Sequence, residues 1–140
     1  MNWDDLNHEK DYGPIKAYTQ SKLCNLLFTH ELAKKLNSKV TVNALHPGVI
    51  RTELGRNLSL SYGWFVKVIE FIMTPFYYWI FKSAYEGAQT TIYCAVSDKL
   101  NGCTGKYFSD CREKEVLPFA SNDQDARRLW EISEKMCGLI

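Results

Sequence analysis

In the stretch AYTQSKLCN, Ala17 to Asn25, a phenol and an amine stand four residues apart, at Tyr18 and Lys22. The chemistry such a pair offers is electrostatic. A free phenol keeps its proton until about pH 10, and bringing that value near 7 takes roughly 4 kcal/mol. One ammonium group about 4 Å away, at an effective dielectric near 20, supplies about that much. The spacing alone decides little, because Tyr-x-x-x-Lys occurs three times in the chain. Tyr12 and Lys16 enclose Gly13-Pro14, which breaks a helix between them. Tyr78 and Lys82 close the aromatic run FYYWIFK, where an aromatic anchor with a snorkelling lysine is the simpler reading. Ser21, beside Lys22, points about 100° away around a helix and shares no face with it.

The elements around Tyr18 and Lys22 favour that pair. Pro14 suits the first turn of a helix, where a missing amide proton costs nothing. From there Leu23, Leu26, Leu27, His30, Ala33 and Leu36 recur at spacings of three and four, an apolar face running to about Asn37 that takes His30 as a core residue. Tyr18 and Lys22 then lie one turn apart and point into the same space. KVTVNAL, Lys39 to Leu45, reads as a strand that stops at the loop His46-Pro47-Gly48, with His46 a strand-end residue. Helix, short link and apolar strand make half of a βαβ crossover, hence a parallel sheet. Further on, Ser83 to Glu86 is a capping box opening a helix through about Val96. KYFSD, Lys106 to Asp110, is a short strand, and Ser121 to Gln124 is a second capping box. The last helix turns Ala126, Leu129, Trp130, Ser133 and Met136 inward and ends at Gly138, with Asp123, Asp125, Arg127 and Arg128 on a solvated face.

Composition narrows the class of function. With 140 residues, 46% hydrophobic and 24% charged, the chain is an ordinary globular one of single-domain size. Its net charge of +1, with acids interleaved among the bases, gives no footprint for nucleic acid. Five scattered cysteines form no Cys-x-x-Cys pair, so reduced thiols are expected, with Cys24 packing beside the motif and no metal site. The opening MNWDDLNHEKDYG is polar and acidic, unlike a secretory signal. Gly63 to Phe81 is aromatic and apolar, but Lys67, Glu70 and Pro75 argue against a simple membrane span. A bent helix pair over a greasy site, or one dipping into a bilayer surface, is the expectation for residues 62–82.

Tyr18 and Lys22, an amphipathic helix, a strand, and then Pro47-Gly48-Val49-Ile50-Arg51-Thr52 occur in one order that resembles the carboxy-terminal half of the short-chain dehydrogenase/reductase superfamily. LFTHELAKKL, EGAQTTIY, GKYFSDC and LWEISE are similar to its retinol dehydrogenase branch, the NADP-dependent retinaldehyde reductases. The resemblance implies an α/β fold, a partial Rossmann-like doubly wound parallel sheet that is incomplete without its amino-terminal βαβ units, in one partial domain over residues 1–140. It implies Tyr18 as the proton donor and acceptor. Lys22 tunes Tyr18 and holds the nicotinamide ribose, Pro47, Gly48 and Val49 hold the nicotinamide through their backbone, and Thr52 lies near the cofactor. The cofactor implied is NADP rather than NAD, and the partner a lipophilic alcohol or aldehyde, retinoid-like, under an aromatic lid. It also implies a homodimer through the Tyr18 helix, and a cytosol-facing place at the endoplasmic reticulum membrane for the parent family, or the cytoplasm for this chain alone.

The chain also departs from that family. None of its eight glycines forms Gly-x-x-x-Gly-x-Gly or Gly-x-Gly-x-x-Gly, the turn that seats a pyrophosphate on a helix amino terminus, and the strand bearing the family's catalytic serine has no counterpart. Two readings therefore stand. One is an oxidoreductase segment that is inactive by itself. The other is a non-catalytic shortened form that acts through dimer contacts or membrane association.

Overall fold

The structure is a computed structural model, and it describes residues 1–37, 40–50 and 81–140. They group into two compact units. Unit 1 is Met1–Ala44, Asp98–Phe108 and Glu113–Ile140, and unit 2 is Leu45–Ser97 and Ser109–Arg112.

Unit 1 is built on helix α1, Pro14–Leu36, which starts with proline in its first turn and stops at Asn37 in the left-handed region, φ 48°. The expected apolar face forms: Leu27 and Ala33 are buried, and Leu27 joins Ala126 and Leu129 of the last helix in one cluster. Met1, Trp3, Leu6, Leu23 and Cys24 pack around that cluster. Cys24 Sγ lies 4.0 Å from Met1 Sδ, and burial pushes its thiol up. The loop before α1 folds around the Asp5 carboxylate, which accepts the amides of Glu9, Lys10 and Asp11 at 2.8, 3.0 and 3.1 Å. Gln20 ties this loop to α1. Its side chain accepts from Asn2 N–H and donates to the Leu6 carbonyl, both at 2.9 Å.

The last helix forms where the sequence places it but is capped differently. In order after α1 come strand β1, Ala44–His46, helix α2, Ala84–Val96, and strands β2, Tyr107–Ser109, and β3, Arg112–Glu113. Helix α3, Asp123–Met136, follows a 3-10 turn, Pro118–Ala120. The cap of α3 is Asn122, whose side chain accepts from Gln124 and Asp125 N–H at 3.0 Å, and not the Ser121 box. Ser121 instead closes the 3-10 turn, its amide bonded to the Pro118 carbonyl at 3.3 Å.

The three strands pair in the order β1-β2-β3. Gly105 N–H to the Val42 carbonyl at 2.7 Å and Ala44 N–H to the Lys106 carbonyl at 2.8 Å advance in the same direction, so β1 and β2 run parallel. β3 turns back after two residues, Asp110 and Cys111, both at φ 55°, the sign that tight hairpin turns require. Two residues are too few for a crossover, so β3 adds an antiparallel edge to the α/β sheet. β1 is shorter than the expected Lys39–Leu45. Side chains occupy the ladder ahead of it: Thr104 Oγ1 accepts from Val42 N–H at 3.0 Å, and Asn43 bonds the Cys103 carbonyl and Lys106 N–H at 2.9 Å each.

Unit 2 contains α2, which begins where the sequence placed it. Ser83 and Glu86 form the reciprocal box, with Ser83 N–H donating to Glu86 Oε2 at 2.7 Å and Glu86 N–H donating to Ser83 Oγ at 3.2 Å. Gly87 and Thr90 are its buried residues.

Candidate functional site

Helix α1 presents two faces. The face bearing Leu27 is buried in unit 1, and the face bearing Tyr18 is open, the tyrosine being 63% exposed. Lys22 Nζ lies 5.2 Å from the centroid of the Tyr18 ring, so phenol and ammonium share one space, as the helical offset requires. The neighbouring hydroxyls are turned away. Ser21 Oγ donates to the Tyr18 carbonyl at 2.7 Å, and Thr19 Oγ1 lies 2.9 Å from the Ile15 carbonyl. Neither rival Tyr-x-x-x-Lys pair matches this arrangement: Lys16 Nζ binds Asp11 at 3.0 Å, and Tyr78 lies outside the described residues. Two hollows of unit 1, of about 310 and 400 Å³, are lined around His30 and Lys106 and around His8 and Lys16. Tyr18 and Lys22 line neither of these two hollows.

Pro47, Gly48 and Val49 belong to unit 2 and follow β1 directly. Gly48 sits at φ +91°, a conformation that strains every residue with a side chain. Val49 offers its carbonyl to Lys82 N–H at 3.0 Å, and Ile50 forms a parallel bridge with Lys82. Thr52 lies outside the described residues, as does most of the aromatic segment 62–82. Lys82 is not the snorkelling residue expected at the end of that segment. Its ammonium is paired with Asp110, and its side chain is only 33% exposed.

His30 is a second correction. Rather than joining the core, its Nε2 lies 2.7 Å from Asp123 Oδ1 in the first turn of α3, and Lys34, one turn further along α1, binds the same oxygen. The Lys34 hydrogen bond, followed by that of His30, holds the Asp123 carboxyl down to about 2. The charged cluster on α3 is thus partly engaged: Arg128 also stacks on Trp3 at 4.5 Å. The signal available in the sequence was the four-residue spacing of two basic side chains on α1. Their acidic partner becomes visible only once α3 packs. His46 is exposed at the end of β1.

No protein-family model matches the chain. Among curated proteins it is similar to retinol dehydrogenase 14 of Homo sapiens, at 45% identity over 141 residues, covering 100% of this chain and 40% of the relative. Retinol dehydrogenase 13 of Mus musculus is 45% identical over 141 residues, covering 99% of this chain and 41% of the relative. Retinol dehydrogenase 12 of Homo sapiens is 45% identical over 136 residues, covering 96% and 40%. The chain therefore spans about two fifths of the length of the relatives it matches.

Proposed function

We propose, from the premise that this chain is a homologue of the retinol dehydrogenases of the short-chain dehydrogenase/reductase superfamily, that it is the acid/base-bearing segment of an NADP(H)-dependent oxidoreductase. The reaction interconverts a lipophilic alcohol and its aldehyde, with retinol and retinal as the substrate class. The observation that carries this reading is the Lys22 ammonium held over the open Tyr18 ring. In reduction the Tyr18 hydroxyl gives its proton to the carbonyl oxygen, and in oxidation it takes one back. Lys22 stabilises the charge left on the phenol oxygen and offers its remaining donors to the ribose hydroxyls. The backbone of Pro47, Gly48 and Val49, with no Cβ at Gly48, suits contact with a flat ring. NADP(H) supplies the hydride when bound, and Thr52 is assigned to the cofactor with that loop. The aromatic composition of residues 62–82 suits a long apolar substrate.

These 140 residues hold no glycine-rich pyrophosphate turn, so turnover by the chain alone is not expected. The test replaces the matching stretch of human retinol dehydrogenase 14 with this chain and follows NADPH-dependent retinaldehyde reduction. Tyr18→Phe in that chimera is expected to cut kcat by on the order of 10²- to 10⁴-fold. An unchanged rate ends the assignment.

A second reading draws on the exposed apolar side chains of α1, with Ile15 at 80% and Phe28 at 45%. In it the chain is non-catalytic and acts through a homodimer made by the Tyr18 helix, or rests on the cytosolic side of the endoplasmic reticulum membrane. Among the described residues no helix is long and apolar enough to cross a membrane. Sedimentation of the 140-residue protein, with and without vesicles, decides it: a free monomer in both conditions removes this reading.

A further inference from the structure

We propose that Lys82 is a positioning residue that fixes the shape of the Pro47-Gly48-Val49 loop. The proposal rests on the assignment of that loop to the cofactor and adds the residue that holds it. A glycine at φ +91° has no side chain to choose its conformation and samples many others freely, so a defined loop shape needs outside contacts.

Lys82 supplies three. Its N–H donates to the Val49 carbonyl at 3.0 Å, which pins the main chain directly after the glycine. Its stem lies against Gly48: a Cβ placed on the glycine would be 2.9 Å from Lys82 Cδ, 3.0 Å from Nζ and 3.1 Å from Cε. Its ammonium is bound by Asp110, whose carboxylate lies just beyond β2. An untethered lysine stem keeps most of its rotamer freedom and would not remain against one backbone position. Here the stem is anchored at both ends, by Val49 at the main chain and by Asp110 at the tip. Only a glycine leaves space for it, which gives Gly48 a second reason to be glycine besides its φ. Ile50 extends the same contact. It pairs with Lys82 and fills the space left by the absent side chain of Gly87 on α2.

The test compares Lys82→Ala, Lys82→Arg and Asp110→Asn with two readouts, the ¹H–¹⁵N resonances of Gly48 and Val49 in the full 140-residue chain and the NADPH dissociation constant, from cofactor fluorescence, of the chimera with human retinol dehydrogenase 14. Lys82→Ala is expected to move both resonances and weaken NADPH by about tenfold, the factor that goes with losing one charge-assisted contact. Asp110→Asn, which keeps the stem and removes the charged tether, should move them in the same direction by less. Lys82→Arg, whose guanidinium still reaches a carboxylate, should restore both readouts. Unmoved resonances in Lys82→Ala overturn the proposal, and so does an arginine variant that behaves like the alanine one. If the unaltered chimera binds no NADPH, the cofactor assignment of the loop falls, while the two resonances still decide whether Lys82 holds its shape.

Discussion

Gly87→Ala sets two known effects against each other at one atom. In the interior of α2, replacing glycine by alanine should stabilise by about 1 kcal/mol through helix propensity. The new Cβ, however, would lie 2.7 Å from Ile50 Cγ1 and nearer still to Cδ1, well inside contact distance. Forcing one extra carbon into a filled site costs about 1–3 kcal/mol. The steric term wins, and the variant should lose about 1 kcal/mol, read as a lower urea midpoint. The decisive measurement is a double-mutant cycle with Ile50→Val, which removes the clashing Cδ1. Alone, that change should cost about 0.5–1.5 kcal/mol. In the Gly87→Ala background it should cost less or become favourable, a coupling of about 1–2 kcal/mol. A Gly87→Ala protein more stable than its parent, or a cycle with no coupling, would refute the contact. Because Ile50 immediately follows Pro47-Gly48-Val49, the variant should also shift the amide resonances of that loop.

Two further outcomes test unit 1. Leu27 is fully buried at the centre of its cluster, so Leu27→Ala should cost about 2–5 kcal/mol in chemical unfolding, and a loss below about 1 kcal/mol would show that α1 and α3 are held by something else. The Asp123 carboxyl titrates at about 2 when folded, against 3.8 ordinarily. A depressed carboxyl stabilises the fold above its unfolded value, and that contribution is lost as pH falls from about 4 through about 2. Asp123→Asn should therefore be less stable than the parent at pH 7, with the gap closing between pH 4 and pH 2. A gap that is constant across that window would mean the ion cluster contributes nothing.

What the sequence revealed was local, and what it hid depended on partners far along the chain. The start of α2 was readable because Ser83 and Glu86 cap each other across three residues, and the start of α1 because proline tolerates that one position. The offset that brings Lys22 over Tyr18 is likewise a property of one helical turn. His30 was misplaced because periodicity records only that a residue faces inward. Its actual neighbour, Asp123, is 93 residues away. The strand Lys39–Leu45 was overextended because alternation cannot show that Thr104 and Asn43 side chains take ladder positions. β3 was missed because its turn, Asp110-Cys111, adopts positive φ without glycine or asparagine. Lys82 was misread as a snorkelling end to the aromatic run, since its contacts are with Val49 and Asp110, far on either side of it in the sequence.

The direction in which Tyr18 points is set by residues that take no part in its chemistry. Between Tyr18 and Lys22 on the chain, Gln20 faces the other way and is fastened to both Asn2 and Leu6. One turn on, Leu23 and Cys24 pack against the buried cluster. A helix gripped on that side cannot rotate about its axis without breaking two hydrogen bonds and exposing apolar surface. The opposite side, with the phenol and ammonium, is therefore held in one orientation while remaining open. The hydroxyls of Ser21 and Thr19, beside the pair in sequence, are satisfied by carbonyls of the same helix. A group proposed to exchange a proton gains from such an arrangement, because its orientation is fixed before any substrate arrives, with the Lys22 ammonium held over its ring.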